Sequence, residues 1–214
     1  MKRFVLFSLL SVFVSSCQLY NDADLVIDHT NGFLYNIGDM YEDEFGNKGI
    51  VASIYNYRAV NGDDHERIIV ISLDENSLIW GQNDSNFEDH PSPEAYLYSI
   101  SMIYTSIALE NGIKNYPAFM WCYELNSRRK REVPELGDWL LPSVYDYNCI
   151  SINFEILNTT LIQNGYSPLD DIYWAADNYS ETDAIVWSFH NNQAYYAPKN
   201  SLHNTRAIRY IYIK

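Results

Sequence analysis

The sequence predicts an α+β fold built on an antiparallel sheet, and three observations carry that reading. Apolar runs of strand length occupy both ends of the chain, separated by Gly, Asn and Asp turns. The middle instead repeats its apolar residues at helical spacing. Strands, then helices, then strands follow one another without strand–helix–strand alternation, and that order disfavours a parallel sheet.

In the first part, Leu34–Tyr41 reads as a strand, and 42–49 (EDEFGNKG) as a turn. Ile50–Tyr57 reads as a second strand. Asn61-Gly62-Asp63 then turns the chain into Arg67–Leu73, and Asn-Gly between apolar runs is a strong hairpin signal. In the middle, Ser92-Pro93-Glu94 places a capping residue before a proline at the first helical position. Tyr96, Ile100, Ile103 and Ile107 follow at helical spacing, with Gly112 as the stop. A shorter helix starts near Pro117, with Ala118, Cys122 and Leu125 on one face. Ser143 with Asp146 forms a capping box ahead of Tyr147, Ile150, Phe154, Leu157 and Leu161, and Gly165 ends that helix. Towards the C-terminus, Ile172–Ala176, Ala184–Phe189, Ala194–Ala197 and Arg206–Ile213 read as strands, and 190–193 (HNNQ) as a turn.

The N-terminus has a different character. Met1-Lys2-Arg3 is positive, and Phe4–Val14 is apolar apart from Ser8 and Ser11. That is the order of a secretory signal, and it is too short for a bilayer span of about 20 residues. Val14-Ser15-Ser16-Cys17 resembles the lipobox of bacterial lipoproteins. The resemblance implies cleavage before Cys17 and a membrane anchor through lipid on that cysteine. The expected organisation is a signal peptide at 1–16, a polar tether at 17–32 and a single domain at 33–214. The expected location is the cell envelope, with the chain held on a membrane, the outer one above all, and facing the periplasm or the surface.

Loss of residues 1–16 would remove Lys2 and Arg3. That leaves 12 basic against 28 acidic residues, a net charge of −16. Such a surface repels nucleic acid, whose binding depends on neutralising phosphates. Tyrosine is abundant, at 19 residues, beside five tryptophans. That enrichment suits a β-sheet and an exposed binding surface alike. Cys122 and Cys149 leave two readings open: a disulfide, which an oxidising compartment permits, or two buried thiols acting as small hydrophobes. Neither cysteine has a histidine at ligand spacing, so no zinc site is expected.

The C-terminal half carries an ordered set of marks: Tyr116-Pro117-Ala118 with Cys122, 138–143 (DWLLPS), 173–176 (YWAA), 184–189 (AIVWSF), Lys199 and 206–209 (RAIR). Together they resemble a family of unknown function typified by the C-terminal domain of a bacterial collagen-like adhesin. Ile37-Gly38-Asp39 and 46–51 (GNKGIV) look like the opening of lipoproteins that carry this domain, so the resemblance covers about residues 36–213. It implies a C-type-lectin-like fold, a twisted antiparallel sheet with two or three helices packed on it. The sequence departs from the pattern at Ala175-Ala176, where serines are usual, and at Leu140, where Arg or Tyr is common. It also inserts Arg128-Arg129-Lys130-Arg131 before Trp139. Apart from any resemblance, Pro142-Ser143 starts a helix, and Trp139, Trp174 and Trp187 read as core anchors.

Catalytic chemistry finds little support. A nucleophile needs an activating base in reach, and no motif pairs His29, His65, His90, His190 or His203 with a cysteine or serine. The implied fold is shared with formylglycine-generating enzymes, whose redox cysteines lie near the C-terminal strands. Residues 150–214 here hold no cysteine. Calcium candidates are Glu42-Asp43-Glu44 and Asp63-Asp64 with Glu66, but the Glu-Pro-Asn and Gln-Pro-Asp triplets of calcium-dependent sugar binders are absent. The expectation is a non-catalytic binding module without cofactor or metal. Its candidate contacts are Arg128, Arg129, Lys130 and Arg131 for an anionic glycan, and Tyr173, Trp174 and Asp177 for stacking on a sugar. The alternative is an assembly subunit that docks onto another envelope protein.

Overall fold

The computed structural model describes residues 26–28, 33–42, 46–58, 64–81, 115–125 and 139–213. They form an α+β fold with two main sheets and three helices. The first sheet has four strands: β3 (Met40–Glu42), β4 (Lys48–Arg58), β5 (Asp64–Ser72) and β11 (Ile208–Ile213), in the order β11-β5-β4-β3 and wholly antiparallel. The second has β6 (Asn76–Leu78), β7 (Ile172–Asn178), β8 (Asp183–Ser188), β9 (Gln193–Pro198) and β10 (His203–Thr205), in the order β6-β10-β7-β8-β9. Here the expectation of a single antiparallel sheet is corrected twice: there are two main sheets, and β10 runs parallel to β7 through Asn204 opposite Tyr173. Leu140 bridges to Ile208, with reciprocal N–H to O contacts of 2.7 and 2.8 Å.

Burial explains the strand sequences. Ile68, Ile69, Val70 and Ile71 of β5 are all buried. A near-continuous apolar run of this kind belongs to a strand covered on both faces. The β4–β5 hairpin expected from Asn-Gly forms, and its tip at 59–63 lies outside the described residues. A register shift between Val51 and Ser53 makes Ala52 an extra residue, a β-bulge. Asn153 Nδ2 donates to the Ala52 carbonyl at 3.0 Å, so a helix cap satisfies the group that the bulge withdraws from the ladder.

The single strand expected at Leu34–Tyr41 is two strands. β2 (Phe33–Tyr35) ends at a tight turn in which Asn36 N donates to Asp39 Oδ2 at 2.8 Å, and Gly38 takes φ +91°. Only then does β3 begin. The tether expected at 17–32 is also corrected in part, because Val26–Asp28 is a strand, β1, paired antiparallel with β2. The strands β6 and β10 went unrecognised because 76–78 (NSL) and 203–205 (HNT) are short and polar, with no alternation to read.

The helices are α1 (Pro117–Glu124), α2 (Val144–Ser151) and α3 (Phe154–Gln163). The helix expected at 92–112 lies outside the described residues. α1 starts at proline as the sequence suggests. The capping box at Ser143 forms in both directions with Asp146. The long helix expected from Ser143 to Gly165 breaks at Ile152-Asn153, where Asn153 caps α3 with φ −107°. Its apolar spacing runs across that break without a signal. Gly165 then takes φ +80°, with Tyr166 N donating to Leu161 O and Gly165 N to Ile162 O. This is a Schellman stop, which needs a left-handed residue.

The core is rich in aromatic side chains. Trp80, Trp139 and Trp174 are fully buried, and Trp187 nearly so. Trp174 Nε1 donates to Leu78 O and Trp80 Nε1 to Ala175 O, each at 2.8 Å, so both indoles also tie β7 to the β6 segment. A Cβ on Gly49 would lie 2.5 Å from the Ile71 carbonyl oxygen and 3.0 Å from the Trp139 ring. Glycine is therefore required where β4 passes Trp139. Among the described residues, no helix is long and apolar enough to cross a membrane.

Cys122 and Cys149 are both buried thiols with no disulfide between them, so of the two readings the structure takes the small hydrophobes and not the bridge. Burial pushes the Cys122 thiol well above its ordinary range, which suppresses the reactive thiolate. We expect thiol titration of non-reduced protein to find both groups unreactive in the native state and both titratable in denaturant. A count of zero in denaturant would restore the disulfide.

Candidate functional site

Of the sequence-derived binding residues, Tyr173, Trp174 and Asp177 are described, all on β7. Tyr173 and Trp174 are both 0% exposed, so the expectation that they stack on a ligand is corrected. Tyr173 through Ala176 are buried consecutively, on both faces of the strand. The Tyr173 hydroxyl donates to Glu75 Oε2 at 2.7 Å, and burial raises its pKa. Asp177 is half-buried and accepts from Val144 N at 2.7 Å, serving an exposed donor in the first turn of α2. Arg128, Arg129, Lys130, Arg131 and Cys17 lie outside the described residues. Of the acidic candidates, few fall within the described side chains. Glu42 pairs with Lys48 at 3.4 Å on the surface. Asp43, Glu44 and Asp63 lie outside the described residues, and no group of three metal-ligating side chains occurs among those described.

Two buried polar nodes hold the scaffold. In the first, Arg206 donates to the carbonyls of Ser72 and Leu73 at 3.0 Å and of Ser167 at 2.9 Å, and pairs with Glu75 at 2.7 Å. Glu75 thus receives Arg206 and Tyr173 together. In the second, Asp146 accepts from Ser143 N and Oγ and from the Tyr210 hydroxyl, the last at 2.6 Å. Arg67 stands beside it, bonded to the Tyr55 hydroxyl at 3.0 Å and lying 4.9 Å from the Tyr210 ring centroid. Burial raises the Asp146 pKa, against the opposing pull of those hydrogen bonds and of Arg67. A carboxyl raised on folding favours the folded state most when protonated, and that advantage is lost as pH rises. We therefore expect Asp146→Asn to gain stability relative to the parent as pH is raised from the ordinary carboxyl value of 3.8 towards neutrality. Denaturant titrations across that range check it, and a relative loss would contradict the burial argument.

The exposed aromatic residues gather elsewhere. Tyr179 follows β7, and Tyr195 and Tyr196 lie on β9, at the edge of the second sheet. They are 55%, 40% and 62% exposed. The Tyr179 and Tyr196 rings stack with centroids 4.7 Å apart and planes 5° apart. Beside them runs a closely bonded turn. Ser180 N and Tyr179 N donate to Asp183 O, and the hydroxyls of Ser180 and Thr182 both reach Asp183 Oδ2, at 3.2 and 2.7 Å. Lys199 secures this turn from beneath. Its amide donates to Thr182 O and its buried ammonium to Glu181 O at 3.1 Å, while Nζ sits 4.9 Å from the Trp80 ring centroid. The sequence marked Lys199, but nothing in it set Tyr179 against Tyr196. That contact depends on the β8–β9 hairpin, whose pairing puts Asp183 opposite Pro198.

A second surface feature is a cleft of about 260 Å³ at the start of β4 and the end of β5, lined by Asn47, Lys48, Asp74, Leu125, Trp139 and Tyr166 among others. Leu125 and Trp139 are the described residues that bracket the stretch carrying Arg128–Arg131. Ile152 at the α2–α3 break and Ile156 and Ile162 of α3 are exposed.

No family model and no curated protein matches this chain. Among solved structures it is similar to a fimbrial protein from Bacteroides ovatus ATCC 8483, at 12% identity and a TM-score of 0.59. The match covers 81% of this chain and 48% of that protein, so the chain spans about half the length of its structural relative. At that identity the likeness is one of fold.

Proposed function

We propose that the chain is an exported, lipid-anchored and non-catalytic binding module of the bacterial cell envelope, with a C-type-lectin-like domain that takes glycans or host-surface ligands. The carrying observation is the division of labour among its polar and aromatic side chains. Glu75, Asp146, Tyr173 and Arg206 are engaged in holding the scaffold. The stacked tyrosines Tyr179 and Tyr196 are presented to solvent beside a hydroxyl-bearing turn. Exposed tyrosine supplies a large, rigid contact area at low entropic cost. The lipobox resemblance at Cys17 supports the anchor, and the adhesin-domain resemblance over 36–213 supports display at an envelope.

A second reading is an assembly subunit that docks onto another envelope protein. The likeness in fold to a fimbrial protein favours it, as do the exposed isoleucines at the α2–α3 break and on α3. A glycan array probed with the full chain in detergent micelles, read beside crosslinking in intact membranes, separates the two. Retention on glycans supports the binding module. Crosslinking to one envelope protein with no glycan retained supports the assembly subunit. Mass spectrometry of the membrane fraction tests the anchor directly: an acylated cysteine at the N-terminus is expected, and an unmodified soluble chain that begins elsewhere would refute it.

A further inference from the structure

We infer that the Tyr179–Tyr196 stack is the stacking site for a neutral carbohydrate, an inference that rests on the binding-module reading and names its ligand class. Three features of the surface lead there. The first is ring geometry. Two phenol rings are stacked in parallel, with planes 5° apart, and both residues are more than half exposed. A pyranose presents an apolar face of C–H groups rimmed by hydroxyls, which matches an aromatic body with a polar tip. Stacking of this kind needs no charge on either partner.

The second is charge. From Leu169 to Thr205 the sequence has one lysine and no arginine. That lysine, Lys199, is fully buried under the turn. Glu181 is exposed two residues from Tyr179, and Asp183 stands in the same turn. A sulfated or carboxylated glycan meets repulsion here, and local repulsion selects against wrong partners. The ligand class at this edge is therefore neutral, distinct from the anionic glycan expected at Arg128–Arg131. The Ser180 hydroxyl is taken up inside the turn, donating to Asp183 and accepting from the Thr182 and Asp183 amides, while the Thr182 hydroxyl oxygen and the Asp183 carboxylate keep acceptor capacity for sugar hydroxyls.

The third is rigidity and size. The turn is fixed by its own hydrogen bonds and by Lys199 before any ligand arrives. Binding therefore orders little, and that keeps its entropic cost low. A stable protein interface takes about 800 Å² from each partner, whereas a pair of phenol rings offers a face on the scale of one or two sugar units.

The test uses the full chain in detergent micelles and isothermal titration with neutral gluco-, manno- and galacto-hexaoses, each beside a sulfated counterpart. At least one neutral oligosaccharide is expected to bind, and its sulfated form more weakly. Tyr179→Ala and Tyr196→Ala should each lower affinity about tenfold, or about 1.4 kcal/mol, while Tyr196→Phe, which keeps the ring, should bind as the parent does. Melting temperatures of these variants should stay close to the parent value, because both side chains are exposed. Affinity should change little between low and high salt, since stacking is not screened. Binding that survives both alanine substitutions would overturn the site and leave the module reading intact. Tighter binding of the sulfated form would overturn the ligand class. Failure of every sugar, with the alanine variants disrupting self-association instead, would overturn the inference and the module reading together.

Discussion

Trp174→Ala is expected to destabilise the fold by about 3–5 kcal/mol, the range for truncating a fully buried large aromatic. The indole is completely buried in β7 and donates to the Leu78 carbonyl at 2.8 Å. Its edge-on neighbour is His203 of β10, with ring centroids 4.8 Å apart. Truncation therefore opens a cavity and strands the Leu78 carbonyl at the seam where β6, β10 and β7 meet. Burial lowers the His203 pKa, which keeps this neighbour neutral at physiological pH, so the loss should not depend on charge. Guanidinium denaturation should show a lower midpoint with an unchanged slope, the signature of lost stability and not of a changed denatured state. A loss below about 1 kcal/mol would place Trp174 outside the core.

Arg206→Ala is expected to cost about as much, again about 3–5 kcal/mol, because it removes one partner of a buried pair. Four contacts disappear together: the carbonyls of Ser72, Leu73 and Ser167, and the Glu75 carboxylate. Ser72 and Leu73 close β5, and Ser167 follows α3, so this guanidinium joins the first sheet to the helical layer. Glu75 would keep only the Tyr173 hydroxyl among the contacts described here. Arg206→Lys should recover little, since one ammonium cannot span the directions of a planar guanidinium. Arg206→Ala, Glu75→Gln and the double variant form a cycle that separates the pair from the carbonyl contacts. If Arg206→Ala proves no worse than Glu75→Gln, the carbonyl contacts contribute nothing and this account of the node fails.

Sequence legibility followed the physics of each element. Hairpins and caps were legible because their signals are local: Asn61-Gly62 lies between apolar runs, Ser143 pairs with Asp146, and Pro117 opens α1. The burial of Trp139, Trp174 and Trp187 was legible from their size and apolar setting. The split of β2 from β3 was not, because it depends on Asp39 bonding back to Asn36 while the flanking residues keep an extended pattern. The α2–α3 break was hidden in the same way. Asn153 is spent on the Ala52 carbonyl of a bulge about a hundred residues earlier, a contact that no local rule reports.

The site was less legible than the fold. Trp174 stands in the sequence both as a core anchor and, with Tyr173, as a candidate sugar contact, and β7, covered on both faces, takes the core reading for both. The exposed pair Tyr179–Tyr196 joins residues on two elements, brought together only by strand order at the edge of the second sheet. Aromatic abundance signalled that some tyrosines would face solvent. It carried no information on which of the 19 would meet.

The central claim is that ligand contact lies on the β9 edge and is separate from the scaffold nodes and from the Trp139 cleft. Hydrogen–deuterium exchange of the full chain in micelles, with and without the tightest-binding neutral hexaose, tests it most directly. The account predicts slowed exchange confined to 179–183 and 193–198. Protection at 46–48, 72–74 and 139, with those two segments unchanged, would contradict it and place the ligand in the cleft.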